Sequence, residues 1–177
     1  CWSLGDIIDI DLSNLILHIF REVRELYLKN KLVCRDIVPS YNSLAIHFDP
    51  VSSSLATLEE TVDDTIDSVI SGKIGIGKEE EDRVIHKLPT VYDGRDLGLV
   101  AEKNGLTVDQ VIELHQKPEY KVAMVGFLPY YPYLIGLDTK LETPRLDSPR
   151  TKVPAGSVAI GGVQTGIYPC ESPGGWN

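Results

Sequence analysis

The chain has 177 residues, 42% of them hydrophobic and 24% charged, with a net charge of −9. These proportions are typical of a folded globular protein, and the length allows one large domain or two small ones. No apolar run approaches the roughly 18–20 residues of a membrane span and no signal peptide is visible, so we expect a cytoplasmic protein without membrane contact.

The charge is unevenly distributed. Residues 1–120 carry a net charge of −10, whereas residues 121–177 carry five Lys and Arg against four Asp and Glu, a net charge of +1. The acidic first part argues against a nucleic-acid surface. The second part suits a small anionic ligand better than a polymer.

The first 88 residues predict a small α/β sandwich with its helices on one face of a sheet. Ser13 or Asn14 can cap a first helix that runs to about Asn30. Apolar spacing predicts the remaining elements: strands over residues 33–38 and 43–48 joined by a turn at Pro39-Ser40, a helix over residues 55–71, and a strand over residues 83–88.

The segment 72–82 contains the spacing of a phosphate-binding loop. Gly72 is followed five residues later by Gly77-Lys78, but Glu79 stands where Ser or Thr should bind magnesium. The acidic run that follows would repel a triphosphate. We therefore predict an exposed loop here.

Residues 97–116 predict a helical hairpin. Gly105 suits the end of the first helix, and Thr107 with Gln110 forms a capping box at the start of the second. The pattern is similar to a helix-turn-helix, but residues 97–117 contain no arginine and have a net charge of −1. A linking role is therefore expected, and nucleic-acid binding is not.

Cysteine and histidine are not spaced as metal ligands. Cys1, Cys34 and Cys170 are scattered and form no CxxC, so we predict neither a zinc site nor a disulfide framework. We place His18 on a helix surface, and His47 and His86 on strand faces toward solvent. His115 is the histidine that we consider functional, because it directly precedes the motif-rich part of the chain; a helix-end histidine that interacts with the helix dipole is the alternative.

The segment 120–177 holds seven of the eleven prolines and eight of the fifteen glycines. Apolar runs at residues 122–125, 133–137, 158–160 and 166–168 alternate with these turn residues, which predicts short strands of a β-barrel or sandwich. No metal or tightly bound cofactor is expected.

Three polar clusters in this segment favour a pocket, although tight barrel turns would account for the same residues. Arg145 and Arg150 each follow a proline, so their guanidinium groups leave a stiffened backbone that suits a carboxylate or phosphate. Gln164-Thr165 supplies an amide and a hydroxyl. Gly174-Gly175 precedes Trp176 and lets another group approach closely next to an aromatic wall.

The order of motifs in this segment resembles one protein family. The motifs are Gly126-Phe127-Leu128-Pro129, Pro132-Tyr133-Leu134, Gly136-Leu137-Asp138, Pro144-Arg145, Pro149-Arg150, Val153-Pro154-Ala155-Gly156-Ser157-Val158, Gln164-Thr165-Gly166-Ile167-Tyr168-Pro169 and Ser172-Pro173-Gly174-Gly175-Trp176. The family is the B subunit of bacterial ATP-dependent 5-oxoprolinase, also known as allophanate hydrolase subunit 1 or as an inhibitor of a sporulation histidine kinase. The chain is also similar to half of the carboxyltransferase region of urea carboxylase.

The resemblance implies an α+β fold of two domains. Residues 1–82 would form a ferredoxin-like α/β domain, with an N-terminal strand before Cys1. Residues 83–177 would form a cyclophilin-like β-barrel that includes the hairpin 97–116. Because family members continue for several more strands, the barrel would be incomplete at Asn177.

The resemblance also implies an activity and partners. The B subunit of this family works with a related C subunit and with an A subunit as an ATP-dependent hydrolase of cyclic amide C–N bonds, which opens 5-oxoproline to glutamate. ATP would be bound together with the partner. The alternatives are a non-enzymatic inhibitor that binds a histidine kinase, and a protein that processes allophanate or urea.

The candidate site residues are hypotheses from the polar clusters and the family motifs together. We expect Gln164, Thr165 and Tyr168 to line the pocket. Arg145 and Arg150 would bind a carboxylate, a phosphate or the partner protein. The remaining candidates are the wall residues Gly126, Phe127 and Pro129 and the adjacent His115; no catalytic residue is assigned.

The chain departs from the family at Tyr130-Tyr131, where Gly-Phe is usual. If residue 130 has a positive φ, tyrosine there costs on the order of 1 kcal/mol.

Overall fold

The computed structural model describes residues 1–74 and 84–177. The chain forms two compact units, Cys1–His86 and Lys87–Asn177. The predicted domain boundary between residues 82 and 83 falls outside the described residues, so that division stays a prediction.

The described residues of the first unit form a three-stranded antiparallel sheet and two helices. The elements are β1 (Trp2–Ser3), α1 (Ile10–Leu28), β2 (Asp36–Ser40), β3 (Ser43–His47) and α2 (Leu55–Ile70), and the strand order is β1-β3-β2. Apolar residues at helical spacing on both helices pack against the sheet residue Leu44, which is fully buried. Each helix alone would leave its apolar face exposed to water. Burial of these faces against the sheet therefore stabilises the unit.

Helix α1 begins earlier than predicted. Asp9 caps it, and its carboxylate accepts hydrogen bonds from the backbone N–H groups of Asp11 and Leu12 at 2.9 and 3.0 Å. Ser13 therefore lies buried inside the helix, and the predicted cap at Ser13 or Asn14 is wrong. His18, predicted on the surface, is also buried.

The hairpin turn lies two residues later than predicted. Pro39 is paired with Leu44 inside β2, and the turn falls between Ser40 and Ser43. Strand β2 is an edge of the sheet, where a proline without an N–H group is tolerated.

The predicted strand over residues 83–88 is wrong for its described part. Residues 84–88 form no strand and are exposed, so His86 is exposed but lies on no strand face. Arg83, the phosphate-loop-like Gly77-Lys78 and the acidic run after it lie outside the described residues. An N-terminal strand is present within the chain, at Trp2–Ser3, where the resemblance implied one before Cys1. The described residues hold three of the four strands of a ferredoxin-like sheet, so that detail stays a prediction.

The second unit starts with the predicted helical hairpin. Helix α3 (Leu97–Lys103) is followed by Gly105 with φ +64°, and α4 (Val108–Gln116) starts at a complete capping box of Thr107 and Gln110. Both boundary predictions are confirmed. Their signals are local, because capping residues act within one turn of the backbone.

Two antiparallel sheets follow the hairpin. The strands are β4 (Lys121–Val125), β5 (Pro132–Ile135), β6 (Arg150–Val153), β7 (Val158–Gly161), β8 (Gln164–Ile167) and β9 (Ser172–Gly174). One sheet has the order β4-β5-β8-β7 and the other pairs β6 with β9. The mixed fold with antiparallel sheets is confirmed, but the described residues form no closed barrel. The cyclophilin-like detail stays a prediction.

The strand β8 separates two packed layers. Thr165 is paired with Ile160, which packs with the helical residues Val100 and Val111. Gly166 faces the opposite side, where it lies against the rings of Tyr131 and Trp176. Neighbouring residues of one strand therefore belong to different environments, since successive side chains point to opposite faces.

Candidate functional site

A cleft of about 600 Å³ lies in the second unit. It is bordered by the non-strand segment 89–96 on one side and by β6, β7 and the turn between them on the other. The polar side chains that line it include those of Tyr92, Asp96, His115 and Arg150.

His115 is held in the cleft by two side-chain hydrogen bonds. Its Nδ1 lies 2.7 Å from the Tyr92 hydroxyl and its Nε2 lies 3.2 Å from Thr165 Oγ1. Thr165 Oγ1 donates its own hydrogen to the carbonyl oxygen of Ala159 at 3.0 Å. Thr165 must therefore accept from His115, so Nε2 carries a hydrogen.

These contacts suit a neutral imidazole whose Nδ1 accepts the Tyr92 hydrogen, and burial favours that form. Burial lowers the pKa of His115 below its ordinary value, because the charged form would lose its hydration. The pKa of the Tyr92 hydroxyl is raised, again mainly by burial, so it remains protonated and able to donate. Both ring nitrogens are thus hydrogen-bonded without any charge on the imidazole.

Tyr120 supports His115 from the other side. Its hydroxyl donates to the His115 backbone carbonyl at 2.8 Å, and the two ring centroids are 5.3 Å apart. Burial is the largest cause that raises the pKa of Tyr120. His115 is therefore held both at its imidazole ring and at its backbone carbonyl, and these contacts fix the orientation of the ring.

Arg150 forms an ion pair with Asp96 across 54 positions of sequence. The Nη2–Oδ1 distance is 2.5 Å, and about a fifth of each side chain is exposed. A second guanidinium nitrogen donates to the carbonyl oxygen of Trp176 at 3.2 Å. Because a guanidinium carries five N–H groups, donors remain for a ligand.

The other charges of the cleft differ in their pairing. Lys152 is paired with Glu171 at 2.9 Å on the surface. Arg95 is exposed and forms no ion pair with any residue of 1–74 or 84–177. Asp93, which is exposed and lines the same cleft, also forms no ion pair within those residues, so the cleft carries one positive and one negative charge outside its ion pairs.

On the far face of β8 lies an aromatic cluster, which we define as Phe127, Tyr131, Tyr133, Tyr168 and Trp176. Its rings meet edge-on or tilted, with centroids 4.9–6.5 Å apart, the geometry that the ring quadrupole favours. Tyr131, Tyr168 and Trp176 are buried. The aromatic wall predicted beside Trp176 is therefore the core of this layer.

Three glycines admit these rings. A Cβ atom at Gly161 would overlap the Trp176 indole, one at Gly166 the Tyr131 hydroxyl, and one at Gly174 the Tyr168 hydroxyl. The group that approaches Gly174 closely is thus a side chain of the same chain.

The nine candidate residues divide between the two faces. His115 and Arg150 line the cleft, and Thr165 lies behind His115. Tyr168 and Phe127 belong to the aromatic cluster, and the guanidinium carbon of the exposed Arg145 lies 5.5 Å from the Trp176 ring centroid. Gln164 is buried on the same face of β8 as Gly166. Ligand contact by all nine candidates stays a prediction, and two of them line the cleft.

Gln164 has one unsatisfied group. It is 6% exposed, and its Nε2 has no hydrogen-bond partner among the described residues. A buried donor without a partner costs about 1–3 kcal/mol.

The loop at residues 126–131 contains Gly126 and Pro129 together with two unusual backbone conformations. Phe127 and Tyr130 have φ values of +66° and +67°, and both side chains are exposed. The condition under which Tyr130 costs on the order of 1 kcal/mol is therefore met. The neighbouring Tyr131 occupies a buried position in the aromatic cluster.

Sequence reasoning missed Tyr92 and Asp96. Tyr92 lies in a segment with no helical or strand periodicity, and its partner His115 is 23 positions away. Asp96 occupies the N-cap position of α3, where an aspartate is ordinarily read as a cap, but its carboxylate binds Arg150 instead. Neither residue has a local signal for its role.

The part of the chain that the structure describes contains neither a cluster of metal-ligating side chains nor a helix that could cross a membrane. In residues 1–74 and 84–177, no three His, Cys, Asp or Glu side chains come together as a metal site requires. No helix in those residues is long and apolar enough to cross a membrane.

The whole sequence matches one family model. This model, described as carboxyltransferase domain, subdomain C and D, matches residues 1–177, so the chain belongs to that family.

Among curated relatives, the 5-oxoprolinase B subunit of Haemophilus influenzae is 52% identical over 93 residues, which cover 51% of this chain and 44% of the relative. The proteins of the same name from Bacillus subtilis and Escherichia coli O157:H7 are 34% identical over 154 residues and 52% identical over 101 residues. These matches cover 80% and 55% of this chain, and 62% and 46% of the relatives. The chain thus spans about half the length of the curated relatives that it matches.

Solved structures agree with the fold. The crystal structure of TTHA0988 superposes with a TM-score of 0.80 at 34% identity, over 99% of this chain and 32% of that one. The urea amidolyase of K. lactis superposes with a TM-score of 0.70 at 16% identity, over 98% of this chain and 12% of that one. At that identity the second likeness supports the fold alone.

Proposed function

We propose that the chain acts as the B-type component of an ATP-dependent amidohydrolase that opens 5-oxoproline to glutamate. The observation that carries the proposal is its 52% identity, over 93 and 101 residues, to two proteins named as the B subunit of 5-oxoprolinase. Partners of the C and A types would complete the enzyme and bind ATP.

The chemistry explains why such an enzyme needs ATP. A lactam carbonyl is stabilised by resonance and reacts poorly with water. Phosphorylation or polarisation of its oxygen makes attack by water feasible, so the protein must bind the polarised form more tightly than the ground state. A cleft with fixed donors and a neutral, oriented imidazole suits that task.

In this proposal the cleft binds the substrate carboxylate. Arg150 contributes the guanidinium donors that Asp96 and Trp176 leave unused. His115 faces the ligand with a fixed orientation, and Thr165 positions it. Tyr168 and Gln164 support the site through the aromatic face of β8.

The test uses the chain assembled with partners of the C and A types. ATP-dependent release of glutamate from 5-oxoproline should require all components. Arg150→Lys keeps the charge but loses the planar fork, and we expect it to lower kcat/KM at least about tenfold, the equivalent of roughly 1.4 kcal/mol. Arg24→Lys is the matched control, because Arg24 is exposed on helix α1 and is not among the residues that line the cleft.

Two results would overturn the proposal at different levels. No ATP-dependent ring opening in the complete assembly would remove the activity. Full activity of a stably folded Arg150→Lys variant would remove Arg150 from the site and leave the activity standing.

The names of the curated relatives do not favour the kinase-inhibitor alternative. A pull-down of a histidine kinase that is independent of any ATPase activity would be needed to support it. An allophanate or urea substrate differs from this proposal only in the ligand, and a substrate panel with the assembled enzyme distinguishes the three.

A further inference from the structure

The hydrogen bonds through His115 run in one direction. The Gln116 side chain bonds to the Tyr92 hydroxyl, Tyr92 donates to His115, and His115 donates to Thr165, which donates to a backbone carbonyl. Every hydrogen in this series of hydrogen bonds therefore already has an acceptor. While His115 is neutral, the Tyr92 hydrogen is not available to a ligand in the cleft.

Protonation of His115 reverses one of these bonds. The added proton goes to Nδ1, because Nε2 already carries a hydrogen. Nδ1 then donates to the Tyr92 oxygen, and the Tyr92 hydrogen has to turn away from the imidazole. Tyr92 is half-buried and lines the cleft, so a ligand bound there can accept this hydrogen.

We propose that the cleft binds a small oxyanion with uptake of one proton by His115, and that Tyr92 then donates its hydrogen to the anion. The inference rests on the proposed function for the choice of ligand, the carboxylate of 5-oxoproline. The proton comes from solvent and forms one N–H bond at Nδ1, and no other bond of the protein is made or broken.

The surrounding groups agree with this coupling. The residues that face the imidazole are Tyr92, Tyr120 and Thr165, none of which carries a charge at neutral pH. The charged side chains that line the same cleft are Asp93, Arg95, Asp96, Arg150 and Lys152. Asp96 pairs with Arg150 and Lys152 with Glu171, and the remaining Asp93 and Arg95 have opposite charges, so together these side chains favour neither charge state of the imidazole strongly.

A bound anion changes that balance. It meets the guanidinium groups of Arg95 and Arg150 and adds a negative charge to the cleft that His115 also lines. Opposite charge favours the protonated form, which offsets the burial that otherwise lowers the pKa of His115. Binding and protonation therefore strengthen each other, as linkage requires.

The experiment follows the imidazole nitrogens of His115 by ¹⁵N NMR during a pH titration of the chain. Without ligand we expect hydrogen at Nε2 only, and with 5-oxoproline we expect the pKa of His115 to rise. Inorganic phosphate is the second arm, and a rise with it alone would assign the oxyanion to phosphate instead of carboxylate. The neutral 2-pyrrolidinone should cause no rise, and His18, His47 and His86 are internal controls.

Affinity for 5-oxoproline gives an independent measurement. Between the pKa values of His115 in the free and bound forms, affinity should fall by up to about tenfold for each unit of rising pH. His115→Gln should bind with no such dependence. Tyr92→Phe should weaken binding and reduce the pKa rise, because the protonated Nδ1 loses its acceptor, whereas the exposed Tyr130→Phe should do neither.

The outcomes separate this inference from the function. An unchanged pKa of His115 with both anions, or no binding of either, overturns the inference even if the assembled enzyme opens 5-oxoproline. Proton-coupled binding in a chain whose assembly shows no ring opening would support the inference and contradict the proposed function.

Discussion

At the scale of single residues, the glycines of the last segment serve packing as much as turns. Gly161 and Gly166 lie inside strands, and each would clash with an aromatic ring if it carried a Cβ atom. A ring lying directly on a strand backbone buries more apolar surface than a turn can. Three of the glycines that predict turns in this segment therefore lie where the rings of Trp176, Tyr131 and Tyr168 pack against the backbone.

Gly174 and its neighbour Gly175 give a matched test of this role. Gly174→Ala should lower the free energy of unfolding by about 1–3 kcal/mol, because the new methyl overlaps the Tyr168 ring and the core must shift. At Gly175 a Cβ atom would meet its nearest neighbour, Pro149, at 3.7 Å, an ordinary contact. Urea unfolding followed by Trp176 fluorescence in a Trp2→Phe background measures both, and equal effects of the two substitutions would contradict the packing account.

His115 makes stability depend on pH in a defined direction. Its pKa in the folded chain lies below the ordinary value of 6.5, so the unfolded chain takes up the proton first as pH falls. The contribution is complete above about pH 6.5, declines by up to about 1.4 kcal/mol per pH unit below it, and levels off under the folded pKa.

The measurement is the difference in urea midpoint between wild type and His115→Gln across this range. Wild type should lose stability more steeply than the variant as pH falls below 6.5. The exposed His47→Gln is the control and should follow wild type. Parallel curves for wild type and His115→Gln would show that folding does not lower the pKa of His115.

At the scale of elements, the Asp96–Arg150 pair ties the start of α3 to strand β6. It replaces the usual capping bond of Asp96, so α3 depends on β6 for its first turn. Asp96→Asn should cost about 2 kcal/mol, because Arg150 is left largely buried without its counter-ion.

Glu25→Gln is the matched control. It removes an exposed pair with Lys29 in helix α1, which is expected to contribute less than about 0.5 kcal/mol. Thermal unfolding of both variants compares the two pairs. An Asp96→Asn variant as stable as Glu25→Gln would show that the cleft ion pair is not structurally important.

Elements whose signals are local can be predicted from sequence, and those that depend on distant partners cannot. The α4 capping box and the glycine after α3 act within one helical turn, and both lie where the sequence predicts them. The predicted cap of α1 is wrong because Ser13 has the right chemistry but lies three residues inside the helix. Pro39 indicates a turn but lies in an edge strand, a position that only the sheet order reveals.

The site shows the same limit. Sequence motifs include His115, Arg150 and Thr165 among nine candidates, but their arrangement depends on contacts between residues 23 to 54 positions apart. Gln164 and Thr165 are adjacent in sequence and are predicted to line one pocket. Strand alternation sends them to opposite faces of β8, which places Thr165 behind the cleft and Gln164 in the aromatic layer.

At the scale of the whole molecule, the chain belongs to one domain family, and it spans about half the length of the curated relatives that it matches. Residues 1–120 carry a net charge of −10 and residues 121–177 a net charge of +1. The second unit, Lys87–Asn177, has a net charge of −1 against −8 for Cys1–His86, so it repels a small anion less than the first unit does. In the proposed function, the complete enzyme requires its partners.

The most direct measurement of the central claim is a crystal structure of the assembled complex with 5-oxoproline bound. We predict ligand density between the segment 89–96 and strands β6 and β7, with the carboxylate within hydrogen-bond distance of Arg150 or Tyr92. Density against Gln164 and the aromatic cluster, or confined to a partner protein, would contradict the assignment of the cleft as the ligand site.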